Sequence, residues 1–239
     1  MALILVLEYV NLVGHRQLGQ AGDESSSTGR EPQTAQFDHK LYLLNVYCRL
    51  LVWFFGAISS ELLTDISKVT AGRLRPHFIS VCKPLVKGTI ELDDYCKTAL
   101  PYEYITDYTC SGEPKKQRDT RLSFLSGHSS YSAYSATFAV LYIHQALDVR
   151  KFGLLKPFIQ VMIAAAAFYT GLTRVSDYKH HWQDVLAGLL LGTVVASFMS
   201  THVWPSFYNT YARFLNKNST NRLSATNEAS AAELNRLGY

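Results

Sequence analysis

From Val185 to Trp204 the chain carries no charged side chain, and His202 is the only titratable group in the run. A helix needs about 20 predominantly apolar residues to cross the hydrocarbon of a bilayer. In that medium only helices and closed barrels satisfy their own backbone. Three further runs repeat the pattern. Pro157 to Thr173 is uncharged, Ser129 to Leu147 is apolar with His144 near its end, and Leu50 to Ile66 is interrupted by Glu61 and Asp65. Met1 to Gly14 is apolar but short, with Glu8 inside it, and reads as part of a span. It lacks the basic start and small-residue cleavage site of a signal peptide. The expectation is an all-α polytopic membrane bundle, with four full spans plus a partial N-terminal one. The formal net charge of +4 is modest and gives no ground for a nucleic-acid partner.

The polar stretches divide the chain. Residues 1–14 are the partial span. Residues 15–40, rich in Ser, Gly, Gln, Glu and Thr, read as a flexible cytoplasmic loop. Residues 41–204 form the membrane domain, which includes a polar loop over 77–121, and 205–239 read as a polar cytoplasmic tail. Pro76 is expected to end the helix that enters from Leu50. Two spans separate the segment around Lys68 to Arg121 from that around Arg174 to Asp184, so both face one side. The turn Asp148 to Lys156 faces the other, and its short length with Arg150, Lys151 and Lys156 marks it as cytoplasmic. Cys82, Cys96 and Cys110 in the polar loop suit an oxidising compartment, with one disulfide formed and one thiol left over. Cys48, at a membrane edge, reads as packing. Gly188 and Gly192 make a small-xxx-small pair that lets a neighbouring helix approach closely, and a homo-oligomer is left open.

Three polar sequences fall at span boundaries on the same side. The first is Lys68 to Pro76, in which Lys68 and Arg75 lie seven apart, two turns on one helix face, and point at one anion. The second is Ser126-Gly127-His128, where glycine permits close backbone approach and amides at a helix start bind anions. The third runs from Arg174 to Asp184. If Asp184 is on the helix entering the membrane, His180 sits one turn back and His181 three residues back. Either histidine can have one ring nitrogen held by the carboxylate and the other free to attack. Helix geometry does not choose between them. The bland alternative is a polar cluster capping a membrane span. Cations, imidazoles and a carboxylate gathered on one face point instead to phosphate chemistry.

The patterns K-x6-R-P, S-G-H and R-x5-H-x3-D match the three signatures of the type 2 phosphatidic acid phosphatase superfamily. Over about Leu50 to Trp204 the chain resembles its animal lipid phosphate phosphatase (phospholipid phosphatase) branch, most closely in RLSFLSGHSS and TRVSDYKHHWQDV. Leu125 stands where the wider superfamily has proline. The resemblance implies six membrane helices in the family, of which the first and part of the second would be missing here. It implies a lumenal or extracellular active site in the plasma membrane. It also selects His180 as a nucleophile that forms a phosphohistidine, with Asp184 fixing its tautomer. Lys68, Arg75, Ser126, Gly127 and Arg174 would hold the phosphate, and His128 would protonate the leaving group. No metal and no cofactor are implied. The substrates would be lipid phosphates in the bilayer: phosphatidic acid, lysophosphatidic acid, sphingosine 1-phosphate or ceramide 1-phosphate. Arg73, Ser176, Asp177, Lys179 and His181 read as surface or supporting residues, and Glu61 as a polar group facing the bundle interior. The competing readings are a non-catalytic membrane relative that binds lipid or protein, and a sugar phosphatase or lipid phosphotransferase with the same motifs.

Overall fold

A computed structural model describes residues 39–99, 105–147, 152–211 and 213. The expected partial span 1–14, the loop 15–38, the turn residues 148–151 and the tail beyond 213 lie outside the described residues.

Helix α1 runs over His39–Ala71. It stops five residues before Pro76, because Gly72 takes a left-handed conformation (φ 55°) and donates its N–H to the Lys68 carbonyl at 3.1 Å. A glycine adopts that conformation without a Cβ penalty and closes the last turn. The chain then runs extended. Arg75 N–H donates to Thr120 O (2.8 Å) and Ser123 N–H to Arg73 O (2.9 Å), so residues 73–75 lie against 120–123.

Between these paired segments the polar loop folds as a small mixed layer that no pattern in the sequence foretells. Its elements are α2 (Phe78–Cys82), β1 (Pro84–Val86), β2 (Ile90–Glu91), α3 (Leu92–Thr98), β3 (Tyr108–Cys110) and α4 (Pro114–Asp119). The strands form an antiparallel sheet in the order β2-β1-β3, with Leu85 opposite both Glu91 and Thr109. Cys82 is bonded to Cys110, and Cys96 is an exposed free thiol.

Three helices follow: α5 (Gly127–Ala146), α6 (Leu155–Ser176) and α7 (Trp182–Phe198). The last continues through wider π-type turns at Met199–Val203, and the helical stretch Trp182–Tyr211 carries past the expected start of the tail at 205. Within Phe54–Ser197, one of two compact units, α5 is the inner helix. Its Ser130 hydroxyl meets Ser60 (2.9 Å) and Thr64 (3.0 Å) of α1. Gly188 and Gly192 of α7 press on the α5 backbone: a Cβ at 188 would lie 2.7 Å from Ser126 O, and one at 192 would overlap Ser130 O. The neighbour that the small-xxx-small pair accommodates is therefore α5 of the same chain. Lys156 at the start of α6 is buried and donates to His144 O (2.9 Å) and Leu147 O (2.7 Å), which satisfies carbonyls at the end of α5. In the other unit, Met1–Trp53 with Phe198–Tyr239, the Arg49 guanidinium lies 4.1 Å from the Trp204 ring centre, and Cys48 is buried.

Among the described residues, three helical stretches are long and apolar enough to cross a membrane: Leu43–Ala71, Leu155–Ser176 and Trp182–Tyr211. Helix α5 is long enough, yet it is absent from that set. Its serines, tyrosines and His144 make it too polar, and much of that polarity is buried against neighbouring helices. By contrast α6 leaves Phe158, Val161, Met162, Phe168 and Leu172 exposed, which is the surface a helix presents to lipid.

Candidate active site

The expected site residues belong to the Phe54–Ser197 unit, and the fold brings the three motifs together there. Lys68 sits on the last turn of α1 and Gly127 opens α5. The Lys68 ammonium lies 3.1 Å from where a Gly127 Cβ would be, so only glycine leaves that space open. Lys68 also pairs with Asp65 at 2.9 Å. Arg75 is not on the helix with Lys68, as two helical turns would have placed it. The left-handed turn at Gly72 intervenes, and Arg75 reaches the site from the extended segment behind it. Its guanidinium is bidentate on Asp119 (2.9 and 3.0 Å), and its buried Nε makes no hydrogen bond among the described residues. Arg174, on the last turn of α6, pairs with Asp177 at 3.2 Å. Each of the three expected phosphate-binding cations thus holds an aspartate.

His180 and His181 do not share a helix with Asp184, because α7 begins at Trp182. The chain turns tightly after α6, with Lys179 N–H (3.2 Å) and His180 N–H (3.3 Å) both donating to Arg174 O, and Tyr178 takes a positive φ of 54°. That turn drives the His180 ring into the protein, where it is buried. Its Nδ1 meets Ser123 O at 2.7 Å. A carbonyl can only accept, so Nδ1 carries the proton and Nε2 keeps its lone pair. Burial, with Arg75 and His128 nearby, pulls the His180 pKa down to about 4 against the opposing pull of Ser123 O and Asp184. The ring is neutral at physiological pH. His181 is fixed differently, with its Nε2 on Leu74 O at 3.1 Å.

The expected Asp184–His180 bond is not formed. Asp184 is fully buried, and its carboxylate takes Arg73 Nη1 (2.7 Å), Ser123 Oγ (2.6 Å) and the His181 N–H (3.2 Å). Helix periodicity puts the carboxylate under the imidazole, but the tight turn moves His180 off the helix and Ser123 fills the gap. Arg73, read as a supporting residue, holds both Asp184 and Gln183 (2.8 Å). Ser123 belongs to none of the three motifs. Its sequence signals are its place three residues before Ser126, inside RLSFLSGHSS, on a stretch with no periodicity to say which way it points.

Ser126 is buried at the start of α5, donating its N–H to Asp184 O at 3.1 Å and accepting from Ser129 Oγ at 2.9 Å. Gly127 and His128 open the helix, where N–H groups have no intrahelical acceptor and favour an anion. His128 is exposed. Partial burial lowers its pKa, as do the cations Arg174, Lys179 and Lys68, while Glu61 opposes them. Glu61 is exposed, and its carboxylate lies 3.7 Å from where a Cβ on Gly127 would stand, so it sits beside the site instead of inside the bundle.

The sequence profile of the PAP2 superfamily matches residues 49–208, which include all three motifs. The chain belongs to the PAP2 superfamily. It is 43% identical over 169 residues to phospholipid phosphatase 1 of Rattus norvegicus, covering 71% of this chain and 57% of that protein. It is 40% identical over 166 residues to phospholipid phosphatase 2 of Homo sapiens, covering 70% and 54%. A putative phosphatidate phosphatase of Drosophila melanogaster is 38% identical over 184 residues, covering 76% and 48%. The chain spans about half the length of these curated relatives. No solved structure matches it. Membership of the PAP2 superfamily and the lipid-facing apolar helices together make this an integral membrane protein of mainly helical fold.

Proposed function

We propose that this chain is a lipid phosphate phosphatase acting on phosphate monoesters held at the membrane face. The observation that carries the reading is the surroundings of His180: a neutral imidazole with Nε2 free, near Arg75 and His128, with Lys68 and Arg174 acting on the same His128. A phosphate entering there exchanges the aspartate partners of Lys68, Arg75 and Arg174 for its own oxygens, and the planar arginine forks suit it. Ser126 and the Gly127 amide complete the cradle.

In the first step the His180 Nε2 lone pair forms a bond to phosphorus as the ester P–O bond breaks. His128 gives its proton to the departing alkoxide. In the second step water attacks phosphorus, the P–N bond breaks, and neutral His128 takes the water proton. The fixed cations carry the charge stabilisation. The substrate class is phosphatidic acid, lysophosphatidic acid, sphingosine 1-phosphate or ceramide 1-phosphate, whose tails remain in the bilayer. The Cys82–Cys110 disulfide supports a lumenal or extracellular placement of the loop 77–121 and of the site, with the plasma membrane as location. Residues 15–40 and the tail would then be cytoplasmic.

The test is release of inorganic phosphate from phosphatidic acid in detergent micelles with excess EDTA, comparing the chain with His180→Ala. Release by the chain alone is expected. Release no greater than that of His180→Ala overturns the reading, and release that requires added magnesium overturns the metal-independent mechanism.

A further inference from the structure

Ser123 is tied at three points, and each tie leads to the site. Its N–H donates to Arg73 O (2.9 Å), its hydroxyl to Asp184 Oδ2 (2.6 Å), and its carbonyl meets His180 Nδ1 (2.7 Å). Arg73 closes the circuit by pairing with the other oxygen of the same carboxylate at 2.7 Å. Ser123 and Asp184 have no exposed side-chain surface, whereas Arg73 is about a third exposed. A buried carboxylate without a cation is strongly destabilising, and a half-satisfied buried network loses its geometry.

We propose that Arg73 and Ser123 are positioning residues for His180, Arg73 by neutralising Asp184 and Ser123 by presenting the carbonyl that orients the imidazole. The assignment rests on His180 being the attacking group. Asp184 acts on His180 through Ser123: its grip on the hydroxyl sets the serine, and the serine carbonyl sets the ring. Arg73 does not reach the phosphate in this arrangement, because both its terminal nitrogens are engaged by Asp184 and Gln183. That separates it from Lys68, Arg75 and Arg174, whose partners are exposed or half-exposed aspartates that a phosphate can replace.

The charged groups acting on His180 are Arg75 from the segment after α1, His128 from α5 and Asp184 from α7. Removing the Arg73 charge leaves the Asp184 carboxylate uncompensated beside the imidazole, which favours the imidazolium. Removing the Ser123 hydroxyl loosens both the carboxylate and the carbonyl. The Arg73 change moves the titration of His180 up, towards the ordinary histidine value of about 6.5, and the Ser123 change moves it down, because the carbonyl that accepts from Nδ1 favours the imidazolium.

The experiment follows acylation of His180 by diethyl pyrocarbonate, whose carbonyl only the neutral imidazole attacks, as a function of pH in the whole chain in micelles. Fragment-ion mass spectrometry separates His180 from His181. Arg73→Lys is expected to keep the wild-type midpoint, Arg73→Gln to raise it by about one unit, and Ser123→Ala to lower it. In phosphate release from phosphatidic acid, Arg73→Gln and Ser123→Ala are expected to lower kcat by about 10–100-fold with KM within about twofold. If Arg73→Gln does not fold, Ser123→Ala carries the test. An unchanged midpoint in the folded variants, or an unchanged kcat in an active enzyme, overturns the inference. A rise in KM alone also overturns it, since Arg73 would then be holding substrate. A wild-type chain that releases no phosphate sinks the phosphatase reading, while the midpoint comparison, which needs no turnover, still decides the positioning role.

Discussion

Replacing Gly188 by alanine tests whether the close approach of α7 to α5 sets the phosphate cradle. The added Cβ would lie 2.7 Å from Ser126 O and 3.2 Å from Ser129 Cβ, where ordinary contact begins near 3.4 Å. The obstacle at Ser126 is backbone, so the start of α5 must retreat from α7 by about 0.7 Å. That movement stretches the Ser126 N–H bond to Asp184 O, now 3.1 Å, and carries Ser126, Gly127 and His128 away from His180. Overpacking of this kind costs about 1–3 kcal/mol. The alanine returns about 0.5–1 kcal/mol through its better helix propensity, so the net loss of stability is about 0–2.5 kcal/mol. Activity is more sensitive, because a misplacement of about 1 Å can cost on the order of 10²-fold. The expected result is a fall in kcat of roughly 10–100-fold with a melting temperature lowered by no more than about 10 °C. Phosphate release from micellar phosphatidic acid measures the first, and a thermal melt in the same detergent the second. Gly171→Ala is the control: its Cβ would meet a side-chain methyl, Val185 Cγ1 at 2.9 Å, instead of backbone, and kcat should stay within about threefold. A Gly188→Ala chain with wild-type kcat refutes the argument that this contact positions the cradle.

His128→Ala should lose about 10²–10⁴-fold on a lipid phosphate yet keep appreciable turnover of a nitrophenyl phosphate, whose leaving group needs no proton; equal losses on both would remove His128 from the role of leaving-group acid. His180→Ala should trap no phosphoenzyme on rapid acid quench, whereas His181→Ala should trap it normally, and the reverse pattern would exchange the two assignments. The pH profile of kcat/KM on a lipid phosphate should fall on its alkaline side with a midpoint below the ordinary 6.5, because the proposed leaving-group acid His128 would have to be protonated and its pKa is lowered by burial and nearby cations. On its acid side His180 stays neutral down to about 4, so an acid limb with a midpoint near 6.5 assigned to this residue would contradict its buried setting. The same depressed pKa means that an unfolded chain binds a proton the folded one refuses between about 6.5 and 4. Stability from this group should decline as pH falls through that window. In a Cys96→Ser background, which removes the exposed free thiol of the loop, cysteines placed near Glu113 and near Arg150 should label from opposite sides of intact cells with an impermeant thiol reagent, and labelling of both from one side would refute the proposed topology.

Local sequence was enough to assign the membrane class, the helices α6 and α7 to within a few residues, and the chemical groups that meet. Those features rest on runs without charge and on residue types at fixed spacing, both of which are local. The same patterns anticipated that the glycines of α7 face another helix and that one of the three loop cysteines is left free. How the site is wired came from packing between distant segments. Gly72 ends α1 before Pro76, so Arg75 arrives from an extended segment and not from a helix face shared with Lys68. The turn after α6 pulls His180 off the helix of Asp184, and Ser123, with no pattern to mark it, becomes the link between them. The sheet of the polar loop was hidden for the same reason: its strands are two or three residues long, too short for any alternation to show. Helix α5 is the converse case. Its serines dilute the apolar signal of a span, and one of them, Ser130, bonds to α1 across the interior, a pairing between residues about seventy apart that no local pattern encodes.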